Sequence, residues 1–396
     1  MKRSANRILT THVGSLARPE ALIPFLRHKE RGEPYDRERF AALVREAVAD
    51  VVKKQCDAGV DVVTDGEQGK ASFFGYIVER FDGFERKPSP PGQEGNPRNA
   101  GREYRAFPDY YAWSERIAEW AGGRGGDRRH GIDTCTGPVR YKGHAFVQAD
   151  IDTLKRAVAG RPHEEVFMPA IASSYVAATL PNQHYRTHEE YEQAVADALR
   201  EEYRAIVDAG FILQVDDPRL VTYYMMNPDK SVEDCRKWAA ARVEAINYSL
   251  RGIPPEKVRF HTCYSIDVGP RVHEMELKDI ADVILKIDAG AYSFEAANPR
   301  HEHEYHVFER VKVPDGKILI PGVISHTTNL VEHPELIAER IGRYARLVGR
   351  ENVIAGADCG FAASAVRFND THPSVAWLKF AALAEGARLA TRQLWP

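Results

Sequence analysis

The sequence is poor in cysteine, has no long apolar run and carries no excess of either charge, and each lack narrows what the chain can be. Five cysteines in 396 residues, at positions 56, 135, 235, 263 and 359, are too few and too scattered for a disulfide framework. In a reducing compartment each is a core thiol, a metal ligand or a nucleophile. No apolar stretch approaches the roughly 20 residues of a membrane helix. The N-terminus, MKRSANRILTTHVGS, has a charged start but neither a long apolar region nor a cleavage signal. Lys and Arg number 54 against 57 Asp and Glu, for a formal net charge of -3. The basic residues are dispersed, so no nucleic-acid or membrane partner is expected. A soluble, cytoplasmic protein is expected. Its 43% apolar content suffices for one large core or two smaller ones.

What is present is an alternation of short β-branched runs with longer helical patterns. Candidate strands are 8–15, 60–67, 133–141, 165–173, 211–218, 257–265, 291–298, 317–326 and 352–360. Several are apolar almost to their last residues, as strands covered on both faces of a parallel sheet are. Between them, 187–210 has Thr187 and Glu190 in capping-box positions and Gly210 at the C-terminal end. Segments 231–252, 333–348 and 373–391 also read as helices. Repeated strand–helix units over this length predict a single-domain α/β protein, a (β/α)8 TIM-type barrel over 1–396. A doubly wound sheet competes. Nine candidate strands compete for eight places, so one is misread or lies outside the barrel. No internal repeat is evident. Residues 87–131, rich in Pro, Gly, Arg and aromatics, read as an irregular insertion. It is either a lid or oligomer contact, or a long surface loop with one short helix; a homo-oligomer stays open.

In such a barrel chemistry sits at the C-terminal ends of the strands. Those ends carry Asp65 and Glu67, Asp216 and Asp217, His261 and Cys263, Glu295, His326, and Asp358 and Cys359. His261 and Cys263 are two apart and share one strand face. With Glu295 and Cys359 they make a set of two thiolates, an imidazole and a carboxylate that suits tetrahedral zinc. Two thiolates make a soft site able to hold a substrate thiol as a nucleophilic thiolate. The plainer alternative is a buried histidine among unrelated core thiols. Cys135, Cys56 and Cys235 read as structural.

Seven stretches carry a family resemblance: TTHVGSLARP, TDGEQGK, LQVDDPRL, HTCYS, FEAANPRHEHE, PGVISHTTNLVEHPELIAERI and GADCGF. They fall in family order over residues 10–361. The chain resembles the catalytic C-terminal half of cobalamin-independent methionine synthases and their short stand-alone relatives. It also resembles the epoxyalkane:coenzyme M transferases of that superfamily. The resemblance implies zinc (Zn2+) bound by His261, Cys263, Glu295 and Cys359, and transfer of an alkyl group, methyl in the synthases, to a zinc-bound thiol. Homocysteine is the synthases' acceptor. Val13, Gly14 and Ser15 would hold its carboxylate and Glu67 and Asp216 its ammonium, while His326 matches the residue that protonates the leaving group. Each role has a physical basis: turn amides and a hydroxyl for a carboxylate, paired carboxylates for an amine, an imidazole for proton delivery near neutrality.

Each residue also has a plainer role. Glu67 and Asp216 could be rim ion-pair partners, His326 a helix cap or supporting group, Ser15 a turn cap. His301 and His303 read as a solvated or packing helix start, not as ligands. The chain begins at the first catalytic strand and has no tryptophan after the PAIAS strand, which counts against a polyglutamated folate donor. A methyl-corrinoid, a small methylated compound and an epoxide stay open. Glu67 and Asp216 favour an amino-thiol over coenzyme M, unless an arginine such as Arg18 or Arg219 pairs with them. A coenzyme-M-type thiol addition to an epoxide or other electrophile is the first alternative, and a non-catalytic zinc- or thiol-binding barrel the second.

Overall fold

The computed structural model describes residues 1–88, 101–120, 131–264, 269–365 and 371–396. The strands along the chain are β1 (Leu9–Thr10), β2 (Val62–Val63), β3 (Phe81–Lys87), β4 (Ile132–Tyr141), β5 (Glu165–Ile171), β6 (Ile212–Asp216), β7 (Val258–His261), β8 (Ala291–Phe294), β9 (Ile318–Ile324) and β10 (Ile354–Ala357). Eight of them form one sheet in the order β1-β10-β9-β8-β7-β6-β5-β2. All its pairings are parallel, and a parallel bridge from Thr11 to Val62 joins the two ends. The result is the expected (β/α)8 barrel. Strands β6 to β10 are buried along their whole length, which is why they read as unbroken apolar runs.

Of the nine expected strands, 133–141 is the one outside the barrel. It is β4, paired antiparallel with β3 beside the barrel wall. Its β-branched composition suits any half-buried pleated surface, so composition alone does not assign it to a parallel sheet. Strand β3, FDGFERK, is not among the candidate strands of the sequence. Its register breaks between Asp82 and Phe84, and Gly83 sits there at φ 92 against the carbonyls of Gly137 and Pro138. Such a bulge interrupts the alternation by which strands are read.

The helices follow expectation closely. His188–Asp208 starts at Thr187, whose side chain accepts from Glu190 N at 3.1 Å. The reciprocal half of the box is absent, because the Glu190 carboxylate takes Arg186 N instead (3.2 Å). Val232–Leu250 does carry a full capping box, Ser231 with Asp234. Pro334–Val348 and Pro373–Leu394 complete the set.

The expected insertion is the connection between β3 and β4. Its stretches 89–100 and 121–130 lie outside the described residues. The remainder holds two helices rather than one, Arg102–Ala106 and Pro108–Trp120. Arg102 donates to the carbonyls of Tyr224 (2.9 Å) and Asn227 (3.3 Å), with its guanidinium over the Tyr224 ring. The Glu103 carboxylate accepts His273 N–H. These partners follow β6 and β7, so this segment rests on the C-terminal end of the barrel, where the candidate site lies.

Candidate metal centre and acceptor pocket

The register of β6, β7 and β8 sets the site. Gln214 pairs with Arg259, Asp216 with His261, and His261 with Ser293. Side chains two residues apart share a face, so Arg259 forms one layer inside the barrel and His261 the layer above it. Arg259 is buried and donates to Gln214 Oε1 (2.6 Å), Thr11 Oγ1 (2.9 Å) and the His12 carbonyl. Burial lowers its pKa to about 9. His261 Nδ1 lies 3.1 Å from Ser293 Oγ, while its Nε2 is buried with no hydrogen-bond partner. Burial, with Arg259 beneath and His326 nearby, depresses the imidazole to about 3. His261 is therefore a neutral ring with an unused lone pair over the ordinary pH range.

Cys263 and Cys359 meet that lone pair. Ligand atoms of His261, Cys263 and Cys359 all lie within 4.8 Å of one another, and the two sulfurs are 3.1 Å apart in hydrogen-bond contact. All five cysteines are free thiols. Hydrogen bonding to Cys263 and burial push the Cys359 thiol well above its ordinary pKa. A pair of buried thiols beside an unsatisfied imidazole nitrogen is a poor arrangement for a neutral core, because an orphaned polar atom costs about 1–3 kcal/mol. It is a good one for a soft divalent cation, and the residues fit zinc.

Glu295, the fourth expected ligand, is buried beside these groups but outside the 4.8 Å cluster. Its Oε1 accepts Tyr264 N (2.8 Å), and its Oε2 accepts Arg271 Nη2 (2.7 Å) and Asn298 Nδ2 (2.8 Å). The loop that carries it is fixed by Asp358. That carboxylate takes the backbone N–H of Ala296 and Ala297 (both 2.7 Å) and of Asn298 (3.0 Å), and Asn298 Nδ2 (3.1 Å). In the sequence Asp358 is marked only by its place at a strand end. Its partners lie some sixty positions away in an irregular loop, and no spacing rule connects them. His326 is buried. It is an electrostatic neighbour of both His261 and Asp358, and its carbonyl accepts Thr371 Oγ1 at 2.7 Å.

The acceptor-side residues gather on the β1, β2 and β6 side. Gly14 has φ 138, and a Cβ there would stand 2.8 Å from Pro169 and 3.6 Å from Glu67 Oε1. The turn Val13–Gly14–Ser15 therefore touches Glu67. Gln214 Nε2 bridges the Val13 carbonyl (2.6 Å) and Asp216 Oδ1 (2.8 Å). Ser15 packs on Gly360, next to Cys359. The turn thus links the carboxylate pair to the thiol cluster. Glu67 adopts φ 56, unusual for a non-glycine residue, and its Oε2 has no hydrogen bond. Burial raises both Glu67 and Asp216, and the two carboxylates oppose each other. Arg18 does offset Glu67: its Nη2 lies 3.6 Å from Oε2, although its firm bonds go to the carbonyls of Leu16 (2.9 Å), Lys70 (3.0 Å) and Ala362 (2.5 Å). Arg219 is turned elsewhere, over the Tyr175 ring.

His301 is not a solvated helix start. It is buried, stacked on Tyr264 at 4.1 Å, and held between Glu274 (2.8 Å) and Glu304 (2.7 Å), which is a packing role. His303 is exposed. Cys135 and Cys235 are buried outside the cluster, and Cys56 is half-buried in the helix Arg37–Asp57. No helix among the described residues is long and apolar enough to cross a membrane.

Comparison with known proteins agrees with this architecture. Residues 172–379 match the family model for the catalytic domain of cobalamin-independent synthases. A methionine synthase of Thermococcus kodakarensis is 22% identical over 97% of this chain and 94% of its own length. One of Sulfolobus acidocaldarius is 24% identical over 89% and 85%. The solved structure of a B12-independent methionine synthase from Shewanella sp. W3-18-1, in complex with selenomethionine, superposes with TM-score 0.70 at 19% identity, over 98% of this chain and 99% of that one; it shares the fold. With the family model covering more than half of the sequence, the chain belongs to the cobalamin-independent methionine synthase family.

Proposed function

We propose that this chain transfers a methyl or other alkyl group to the sulfur of a small thiol, with homocysteine the favoured acceptor, at a zinc centre held by His261, Cys263 and Cys359 with Glu295 beside them. The observation that carries this reading is the buried, unpartnered Nε2 of His261 facing two thiols at the mouth of the barrel. When bound, zinc supplies Lewis-acid stabilisation of a deprotonated sulfur at neutral pH. The rest is the work of side chains. Glu67 and Asp216 receive the acceptor's ammonium, and the Val13–Ser15 turn its carboxylate. His326 delivers a proton to the departing group. The burial of all these residues excludes water from the sulfur. Helix Arg102–Ala106 rests on the segments after β6 and β7, and we read the 87–131 insertion as a lid within a single catalytic domain. Five free cysteines suit a reducing, cytoplasmic setting.

One observation favours a second reading. Arg18 and Lys70 act on Glu67, so part of the negative charge that would select an amine is already offset. A thiol without an amine, attacking an epoxide, is the alternative this supports. The test is metal analysis of the purified protein, followed by mass spectrometry of products from a matrix of thiols (homocysteine, coenzyme M, glutathione) and donors (methyl-folates, methyl-corrinoids, small methylated compounds, epoxides). S-methylation of homocysteine supports the first reading and a hydroxyalkyl thioether of coenzyme M the second. Zinc and thiol binding with no product from any pair defeats both. Cys263→Ser and Cys359→Ser are expected to lose zinc and turnover together, and full zinc occupancy in either would defeat the ligand assignment.

A further inference from the structure

Glu295 is the most heavily engaged of the four expected ligands. A carboxylate offers about four lone-pair directions, and three donors already occupy Glu295: Tyr264 N, Arg271 Nη2 and Asn298 Nδ2. Arg271 does not serve Glu295 alone. Its Nε donates to Glu274 Oε1 at 2.6 Å. The other oxygen of Glu274 pairs with His301 Nε2 at 2.8 Å, and His301 Nδ1 pairs with Glu304 Oε2 at 2.7 Å. Glu304 in turn accepts Leu277 N (2.6 Å). The result is a buried row of alternating sign, Glu295, Arg271, Glu274, His301 and Glu304, ending at the thiol cluster.

The backbone at Arg271 is also unusual. It has φ 57, a left-handed conformation that only Glu67 shares among the described non-glycine residues. Such a conformation costs about 1–3 kcal/mol and persists only where surrounding contacts impose it. Here those contacts are the two carboxylates, together with His273 N–H held by Glu103 and the Met275 carbonyl held by Tyr264 Oη (2.6 Å). The loop is thus pinned on several sides to present one guanidinium to Glu295.

We propose that Arg271 is a positioning residue for the metal centre: it competes with the cation for the Glu295 carboxylate, restrains it from full coordination, and so keeps a place open for an incoming sulfur. This rests on the zinc-centre reading above. A guanidinium in charge-assisted contact lowers what the carboxylate can give a metal. The consequence is counter-intuitive in sign. Removing a buried cation leaves Glu295 uncompensated, and zinc binding then relieves that cost, so the variant should hold zinc more tightly.

The experiment measures zinc affinity by competition with a chromophoric chelator, and the absorption of the cobalt(II)-substituted protein, for the wild type, R271N, R271K, E295Q, R271N/E295Q and C263S. Asparagine tolerates the left-handed backbone, so R271N removes the charge without adding strain. R271N should bind zinc about tenfold or more tightly, and the gain should shrink several-fold in the E295Q background, the signature of a coupled pair. Its cobalt bands should shift from those of the wild type. Equal or weaker zinc affinity in R271N, or a gain undiminished by E295Q, overturns the proposal. Should R271N fail to fold, R271K decides. Lysine keeps the charge but cannot span both Glu274 and Glu295, so a smaller gain is expected, and none overturns the proposal. Failure of the zinc-centre reading looks different: the wild type and C263S would then bind zinc equally poorly.

Discussion

Asp358→Asn tests whether one carboxylate holds the ligand-bearing loop. The substitution keeps shape and volume and changes only charge and bonding. Asp358 accepts four hydrogen bonds, from Ala296 N, Ala297 N, Asn298 N and Asn298 Nδ2, and has no donor to contribute. An asparagine can keep its oxygen toward Ala296 and Ala297, but its NH2 then faces the two donors of Asn298. The carboxylate lies against β9 at Gly322, where an added Cβ would stand 2.1 Å from Asp358 Oδ1. Two bonds to a charged acceptor are lost, at about 1.5–3 kcal/mol each, or about 3–6 kcal/mol together. Burial raises the pKa of Asp358, so its ionised form already carries a desolvation cost and the lower end of that range is expected. A loss of about 3 kcal/mol is a large share of the 5–15 kcal/mol that stabilises a typical protein. Urea denaturation of wild type and D358N, monitored by circular dichroism, should show a lower midpoint with an unchanged slope. Zinc affinity should fall as well, because Glu295 and Asn298 ride on the same loop. A stability within about 0.5 kcal/mol of wild type, the range of inconsequential surface changes, would refute the claim that these bonds fix the loop.

Three further outcomes are expected. His326→Gln should lower kcat by about 10²–10⁴-fold if the imidazole transfers a proton, with zinc content unchanged; a loss of zinc instead would make His326 a structural support. Gly360→Ala would place a Cβ 2.0 Å from Ser15 Oγ; displacing the Val13–Ser15 turn should raise the KM for the thiol at least about tenfold while metal binding persists, and an unchanged KM would remove the turn from the acceptor pocket. His301, held by Glu274 and Glu304, has its pKa raised to about 9. Its contribution, about 3 kcal/mol, should be complete below about pH 6.5 and be lost as pH rises through about 9. His301→Gln should flatten that alkaline limb in denaturation midpoints measured across pH, and a wild-type limb that survives in the variant would assign it to another group.

The parts of the site that could be read from sequence are those that a strand places by itself. His261 and Cys263 lie at the end of an apolar run with period-two spacing, and Cys359 follows another such run. A parallel barrel brings all strand ends to one mouth, so their meeting follows from the fold. What escaped reading depends on irregular loops. Arg271 sits on a loop after β7 with no periodicity; one partner, Glu274, lies on that same loop and the other, Glu295, just after β8. The engagement of Glu295 was therefore invisible, although Glu295 itself was not. That β4 is the candidate outside the barrel is not legible in sequence, because β-branched runs do not report which sheet they join, and β3 is not legible because Gly83 breaks its alternation. Arg18 was legible only as a neighbour in sequence; its approach to Glu67 needed the β1 and β2 loops to pack together.

Layering joins the two halves of the pocket. Arg259 occupies the barrel interior one level below His261 and Asp216, and its charge acts on both in opposite senses: it lowers the imidazole and opposes the rise of the carboxyl. Burial, with this cation second, keeps His261 neutral, as the proposed ligand role requires, and the same cation favours an ionised Asp216, as the proposed ammonium site requires. Against it, burial and Glu67 push Asp216 well above its usual range. On the proposed reading, a cationic amine entering between Glu67 and Asp216 would favour the charged form of both carboxylates. On the proposed reading, the residue beneath His261 therefore acts on both halves of the site. On the same reading, an acceptor lacking the amine would meet carboxylates that Lys70, Arg18 and Arg259 only partly offset.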